Sequence, residues 1–79
     1  MEYIPLSAIS EGETCRIIRI QSQGPSTKRL YEMGLHTGAE VKVKKNDHKG
    51  PQILGIHGAN IAIGRNLADG IQVRKGEKA

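Results

Sequence analysis

The sequence has few of the features that mark large, secreted or membrane-spanning proteins. It contains 79 residues, one cysteine, no Phe and no Trp. One cysteine cannot close a disulfide within the chain, which excludes a disulfide-stapled secreted domain. The densest apolar stretch, Ile61-Ala62-Ile63, is far shorter than the ~20 residues that a spanning helix requires. The length fits one small domain, and no signal peptide is recognisable at the start, so we expect a cytoplasmic protein.

Residue patterns that carry catalysis are also missing. There is no Gly-x-Gly-x-x-Gly loop and no Gly-Lys-Ser/Thr phosphate-binding loop. Cys15 is interpreted as a small core residue, because no adjacent base is evident that would activate it. His36, His48 and His57 fall in predicted turns and lack the His-x-x-x-His spacing of a metal site. We therefore expect no enzyme activity, no cofactor and no metal site of high affinity. Weak metal binding by one of these histidines stays open.

Short alternating segments predict a small, mainly β domain. In residues 40–45, Val41 and Val43 alternate with charged residues, which is typical of a half-buried strand. The predicted strands cover residues 14–20, 40–45, 52–56, 59–63 and 71–74. Since so small a sheet must bury its apolar face against itself, we predict an SH3-like barrel of about five strands, with one short α-helix between the first and second strands. The domain covers residues 1–75, and residues 76–79 form a polar tail.

Two local signals predict irregularities in the sheet. The alternation changes phase near Ile17-Ile18, which predicts a β-bulge in the first strand. The pair His57-Gly58 stands between two apolar segments and predicts a two-residue hairpin turn with positive φ.

The helix has the most specific end signal in the chain. Pro25 suits the first position of a helix that continues through residues 26–33, with Leu30 and Met33 on its apolar stripe. Gly34 is expected to adopt the left-handed conformation just past the helix. Leu35 then folds back on Leu30, which is the apolar contact of a Schellman cap.

The charge balance is mildly basic. Twelve Lys and Arg against eight Asp and Glu give a formal net charge of +4, which suits contact with an acidic protein face or with nucleic acid. Lys42, Lys44, Lys45 and Lys49 cluster on one predicted hairpin, but this hairpin has no aromatic residue on which a base could stack. A small basic barrel that binds RNA or DNA is therefore the alternative function, and no nucleic-acid partner is expected.

The run from Lys28 to Val41, KRLYEMGLHTGAEV, carries a recognisable pattern. It resembles the run R-L-x-E-M/L-G-L-x-x-G-A-x-V of the FeoA family, small cytoplasmic proteins of bacterial ferrous-iron uptake. Segments on both sides extend the resemblance over about residues 5–74. Two positions depart from the pattern: Gln52 stands where an apolar residue is expected after Pro51, and Gly64 stands where Arg is more frequent.

The resemblance implies an SH3-like barrel and a role in ferrous-iron transport. It implies a non-catalytic binding or regulatory module, whose partner is the membrane iron permease with its cytoplasmic GTPase domain. The same domain occurs in metal-dependent repressors behind a winged-helix DNA-binding domain, for which this chain has no room. The oligomeric state stays open.

Side chains left outside the predicted core are the candidates for contact with a partner. Tyr31 lies off the stripe of the helix, and Ile53 lies on the strand face opposite Leu54. Lys42 and Lys44 point outward from the neighbouring strand. We predict that Tyr31 and Ile53 provide apolar anchoring and that the two lysines speed the encounter with an acidic face.

Overall fold

The computed structural model describes residues 3–21 and 25–76, which form one antiparallel sheet, two short α-helices and a 3-10 turn. The strands are β1 (Ile4–Pro5), β2 (Thr14–Ile20), β3 (Glu40–Lys45), β4 (Gln52–Ile56), β5 (Ala59–Ile63) and β6 (Ile71–Lys75). The helices are α1 (Pro25–Glu32) and α2 (Arg65–Asp69), and the 3-10 turn covers Leu6–Ala8. The strand order is β1-β6-β2-β3-β4-β5. Within the described ranges, neither helix has the length and apolar character needed to cross a membrane.

The sheet confirms the prediction of a mainly β, SH3-like fold. The described residues contain two short α-helices and not the one predicted, because Arg65–Asp69 forms a second helix between β5 and β6. The five strands predicted from alternation are neighbours in the order β6-β2-β3-β4-β5. The sixth strand, β1, was not predicted, because it has only two residues, one of them Pro5, and so cannot show an alternation of apolar and polar residues. It adds an edge to the sheet by pairing Ile4 with Val73 of β6.

Both predicted irregularities of the sheet are confirmed. The register between β2 and β6 shifts between Ile17 and Arg19, as a bulge requires. At the turn between β4 and β5, His57 has φ +49° and Gly58 has φ +83°. Two consecutive residues with positive φ match the twist of the flanking strands and hold β4 and β5 in continuous register.

The end of α1 forms the predicted Schellman cap. Gly34 has φ +95°, and the Leu35 N–H donates to the Leu30 carbonyl at 2.9 Å. The Gly34 N–H donates to the Tyr31 carbonyl at 3.0 Å, and both leucines are buried in the core. The placement of Met33 on the apolar stripe is wrong. α1 ends one residue earlier, and Met33 is 36% exposed, so it is not part of the buried stripe.

One core joins the sheet, α1 and the 3-10 turn. Cys15 lies in this core with no exposed surface, which confirms its interpretation as a small apolar residue. The buried apolar side chains of the described residues are Leu6, Ile9, Cys15, Ile17, Leu30, Leu35, Ala39, Val41, Val43, Leu54, Ile56, Ile63, Ala68, Ile71 and Val73.

Two buried polar side chains tie the 3-10 region to the sheet. The Asn46 side chain donates to the Ile9 carbonyl at 2.7 Å and to the Ser7 carbonyl at 3.1 Å. Its Oδ1 accepts a hydrogen bond from the Arg65 guanidinium. The Gln52 side chain, also fully buried, donates to the Leu6 carbonyl at 3.0 Å. These bonds give the buried side-chain NH2 groups of Asn46 and Gln52 backbone acceptors in the 3-10 region, and so permit polar residues at core positions.

The C-terminal end of β6 continues its pairing into the predicted tail. The Gly76 N–H donates to the Thr14 carbonyl at 2.6 Å. Beside it, Lys75 Nζ lies 3.5 Å from Glu13 Oε2. The rest of the predicted tail, residues 77–79, lies outside the described residues.

Candidate functional site

The outer face of β3 and β4 brings three of the four predicted partner-binding residues together. Lys42 and Lys44 are exposed on β3, and Ile53 is half-buried on β4. Lys42 pairs with Gly55, two residues beyond Ile53 on the same face of β4. The result is a half-apolar, half-cationic surface on two neighbouring strands, which we call the Lys42–Ile53 face (Lys42, Lys44, Ile53 and Gly55).

Gly55 determines where Lys44 lies on this face. A Cβ at Gly55 would stand 2.7 Å from Lys44 Cε and 3.6 Å from Cδ and Cγ. The Lys44 side chain therefore lies flat over β4, in space that any other residue at position 55 would occupy. An unpredicted register shift between Val43 and Lys45 accompanies this arrangement. The end of the Lys44 side chain thus lies over β4 and not over its own strand, β3.

Tyr31 lies on a different element, α1, and is 50% exposed. The end of α1 packs against the turn between β4 and β5, since a Cβ at Gly34 would stand 3.4 Å from both Ile56 and His57. Tyr31 and the exposed Met33 flank this contact in the chain. Tyr31 and Ile53 are therefore carried by separate elements, and a partner that contacts both must reach from α1 to the sheet.

A second charged region, on β2, β3 and β6, was not predicted. Arg16 stands between Glu40 of β3 and Arg74 of β6 in the ladder, and it donates to the Gly38 carbonyl at 2.8 Å. A depression of about 180 Å³ lies here, lined by Cys15, Arg16, Glu40, Arg74, Lys75 and Gly76. The sequence separates these residues by up to 61 positions, and only the register of three strands brings them together. Because Glu40 lies beside Arg16, the region is mixed in sign.

The three histidines lie outside the strands and helices, in the turns where the sequence predicts them. His48 has φ +65° and His57 has φ +49°, while His36 Nδ1 lies 3.2 Å from the Thr37 carbonyl. Among residues 3–21 and 25–76, no group of three or more His, Cys, Asp or Glu side chains is placed to hold a metal ion.

Cys15 lines the depression but has an unreactive thiol. Burial and, to a smaller extent, the nearby charge of Glu13 raise the pKa of Cys15 to about 12. Since the thiol ionises more easily in the unfolded chain, its contribution to stability is full below about pH 9.0 and is lost as the pH rises toward 12.

We expect iodoacetamide to leave Cys15 unmodified in the folded protein at pH 8, because only the thiolate attacks and the side chain is buried. Mass spectrometry after equal exposure in buffer and in guanidinium chloride measures this. The unfolded chain, as the matched control, should be fully alkylated. Comparable labelling of both samples would contradict the buried, protonated thiol.

Comparisons with known proteins identify related chains. A family model described as FeoA domain matches residues 4–75. A protein of Methanocaldococcus jannaschii that carries the name Fe(2+) transport protein A is 40% identical over 73 residues, covering 92% of this chain and 88% of that protein. The crystal structure of an iron uptake regulatory protein, FeoA, superposes with a TM-score of 0.85 at 32% identity, covering 95% of this chain and 99% of the other.

A manganese-dependent transcriptional repressor contains the same fold. It superposes with a TM-score of 0.80 at 21% identity, covering 92% of this chain and 41% of the repressor. At this identity the likeness shows the fold alone.

Proposed function

Because the chain belongs to the FeoA domain family, we propose that it is a non-catalytic accessory protein of ferrous-iron transport, which acts by contact with the iron permease and its cytoplasmic GTPase domain. The observation that carries the proposal is the Lys42–Ile53 face. It places exposed cations and a half-buried apolar side chain on two neighbouring strands with the buried core beneath them. Such a surface suits a partner with an acidic rim and an apolar centre.

A module of this kind works through binding energy. Contact shifts a partner between two states only if the module binds one of them more tightly. The Lys42–Ile53 face can discriminate between two states of the partner in two ways. Ile53 can bind an apolar pocket that is open in only one state, and the lysines can bind acidic groups around that pocket.

Nucleic acid is the weaker alternative for this surface. Both tyrosines of the chain lie away from the Lys42–Ile53 face: Tyr3 precedes β1, and Tyr31 belongs to α1. Bases therefore have no aromatic platform on this face. The charged region beside it includes Glu40, and Lys75 already pairs with Glu13. Binding of RNA that weakens steeply with salt would favour the alternative.

Tyr31→Ala and Ile53→Ser are expected to weaken binding to the permease by about tenfold, which corresponds to ~1.4 kcal/mol. Each substitution removes an apolar side chain that anchors the partner, and neither side chain belongs to the buried core on which folding depends. Binding of each purified variant to the detergent-purified permease, measured beside its melting temperature, tests the prediction. Tyr3→Ala is a matched control, since Tyr3 is 49% exposed and Tyr31 is 50% exposed.

Charge reversal at Lys42 and Lys44 should act mainly on the association rate, and the effect should fade at high salt. Lys49→Glu in the exposed β3–β4 loop is its control. If every variant stays folded and binds like the wild type, the Lys42–Ile53 face and Tyr31 are not the contact surface. If binding falls only in variants that also unfold, these residues are structural.

A further inference from the structure

The two edges of the sheet differ in how they are protected. β1, at one edge, has two residues, and one of them is Pro5. A short edge strand with proline offers little to an incoming strand. β5, at the other edge, has five residues with no proline and no charge, and it pairs with β4 in continuous register. β5 thus lacks the devices by which proteins block an open edge.

The free backbone groups of β5 can be assigned. The two-residue turn makes Ile56 and Ala59 a hydrogen-bonded pair, and pairs alternate along an antiparallel ladder. Asn60 and Ala62 therefore direct their N–H and C=O groups away from β4. Both residues are exposed, and no backbone hydrogen bond between separate elements of the described chain involves them.

The inner face of β5 is also left partly uncovered. Ile63 is buried, Ile61 is half-buried and Ala59 is exposed, so the core opens toward the β4–β5 turn. Within the described part of the chain, β5 packs extensively only against β4. An added strand would gain apolar contact with Ile61 as well as main-chain hydrogen bonds.

Charge identifies the kind of segment that fits. Lys44 lies over Gly55, and Gly55 pairs directly with Asn60 of β5. The Lys44 side chain therefore extends over β4, the strand next to the free edge. A second copy of this chain would bring another net charge of +4 to the same place. A carboxylate on the added strand would instead complement Lys44.

We propose that β5 is a docking edge, on which an extended, acidic segment of the transport partner pairs as a seventh strand through Asn60 and Ala62. This inference rests on the proposed function, because it takes the permease as the source of that segment. It adds the mode of contact: main-chain pairing provides the affinity, and Lys44 selects for a carboxylate on the outer face.

Ala62→Pro tests the pairing, since it removes one outward N–H and none of the hydrogen bonds to β4. Ala62→Ser, which keeps the N–H, is the matched control. We expect Ala62→Pro to bind the detergent-purified permease at least tenfold more weakly and Ala62→Ser to bind like the wild type. Lys44→Gln should weaken binding and reduce its salt dependence, whereas Lys49→Gln should do neither. Equal binding by Ala62→Pro and the wild type would overturn the proposal.

Amide hydrogen exchange of the unmodified protein gives a second readout that does not depend on a variant folding. The amides of Asn60 and Ala62 should exchange at least tenfold more slowly once the permease is added. Unchanged exchange in a complex that does form overturns the edge-pairing mode and leaves the proposed function standing. Failure of the wild type to bind at all overturns both. If the exchange of these two amides instead slows as the protein concentration rises, with no permease present, a second copy of the chain and not an acidic segment occupies the edge.

Discussion

Asn46→Leu should lower the free energy of unfolding by about 3 kcal/mol, because it leaves several buried polar groups without partners at once. Asn46 is 5% exposed and bonds the carbonyls of Ser7 and Ile9 as well as the Arg65 guanidinium. Leucine has the same branched arrangement of side-chain heavy atoms but forms none of these hydrogen bonds. An unsatisfied buried group costs about 1–3 kcal/mol, which exceeds any gain from the added apolar surface.

Urea unfolding of the Asn46→Leu protein measures this loss. Asn66→Leu is the matched control, since Asn66 is exposed on α2 and its replacement should change the free energy by less than about 0.5 kcal/mol. A loss at Asn46 no larger than that at Asn66 would contradict the role of Asn46 in holding the 3-10 region to the sheet.

Gly34→Ala is expected to lower the free energy of unfolding by about 1–2 kcal/mol. The cause is the backbone, because φ at Gly34 is +95° and a Cβ is disfavoured in that conformation. A Cβ there would also meet Ile56 and His57 at 3.4 Å, which is close to ordinary contact. Thermal or urea unfolding provides the measurement.

Gly38→Ala separates the two contributions. Gly38 has φ +93°, and a Cβ at this position would meet nothing within 4 Å. Gly38→Ala therefore reports the conformational strain alone, and the difference between the two variants reports the packing of α1 on the β4–β5 turn. If Gly34→Ala is neutral while Gly38→Ala is not, the cap does not hold the left-handed conformation in solution.

Strands and turns were predictable where one short-range rule decides the structure. The alternation of Val41 and Val43 defines β3, because a half-buried strand exposes every second residue. The Gly34 cap was predictable for the same reason, since only the residues next to it determine its geometry. The Lys42–Ile53 face follows from alternation on two adjacent strands.

Features that depend on distant residues could not be predicted. Gln52 and Asn46 are polar, yet both lie in the core, because carbonyl groups some 40 residues earlier accept their hydrogen bonds. The grouping of Arg16 with Arg74 requires the register of β2 against β6, which no local pattern specifies. Met33 was misplaced because its helical spacing from Leu30 gives no sign that the helix ends first.

The position of β6 has a consequence for synthesis of the chain. β6 is the last of these six strands to be made, yet it lies between β1 and β2 and pairs Val73 with both Ile4 and Ile17. A nascent chain that has emerged only as far as β5 can form the β2-β3-β4-β5 meander, but it leaves one side of β2 open and β1 without a partner. Pairing of β6 with β1 joins residues almost 70 positions apart and therefore costs conformational entropy for closing a long loop. Folding should therefore finish only after β6 has emerged from the ribosome, with the side of β2 that β6 will occupy exposed until then.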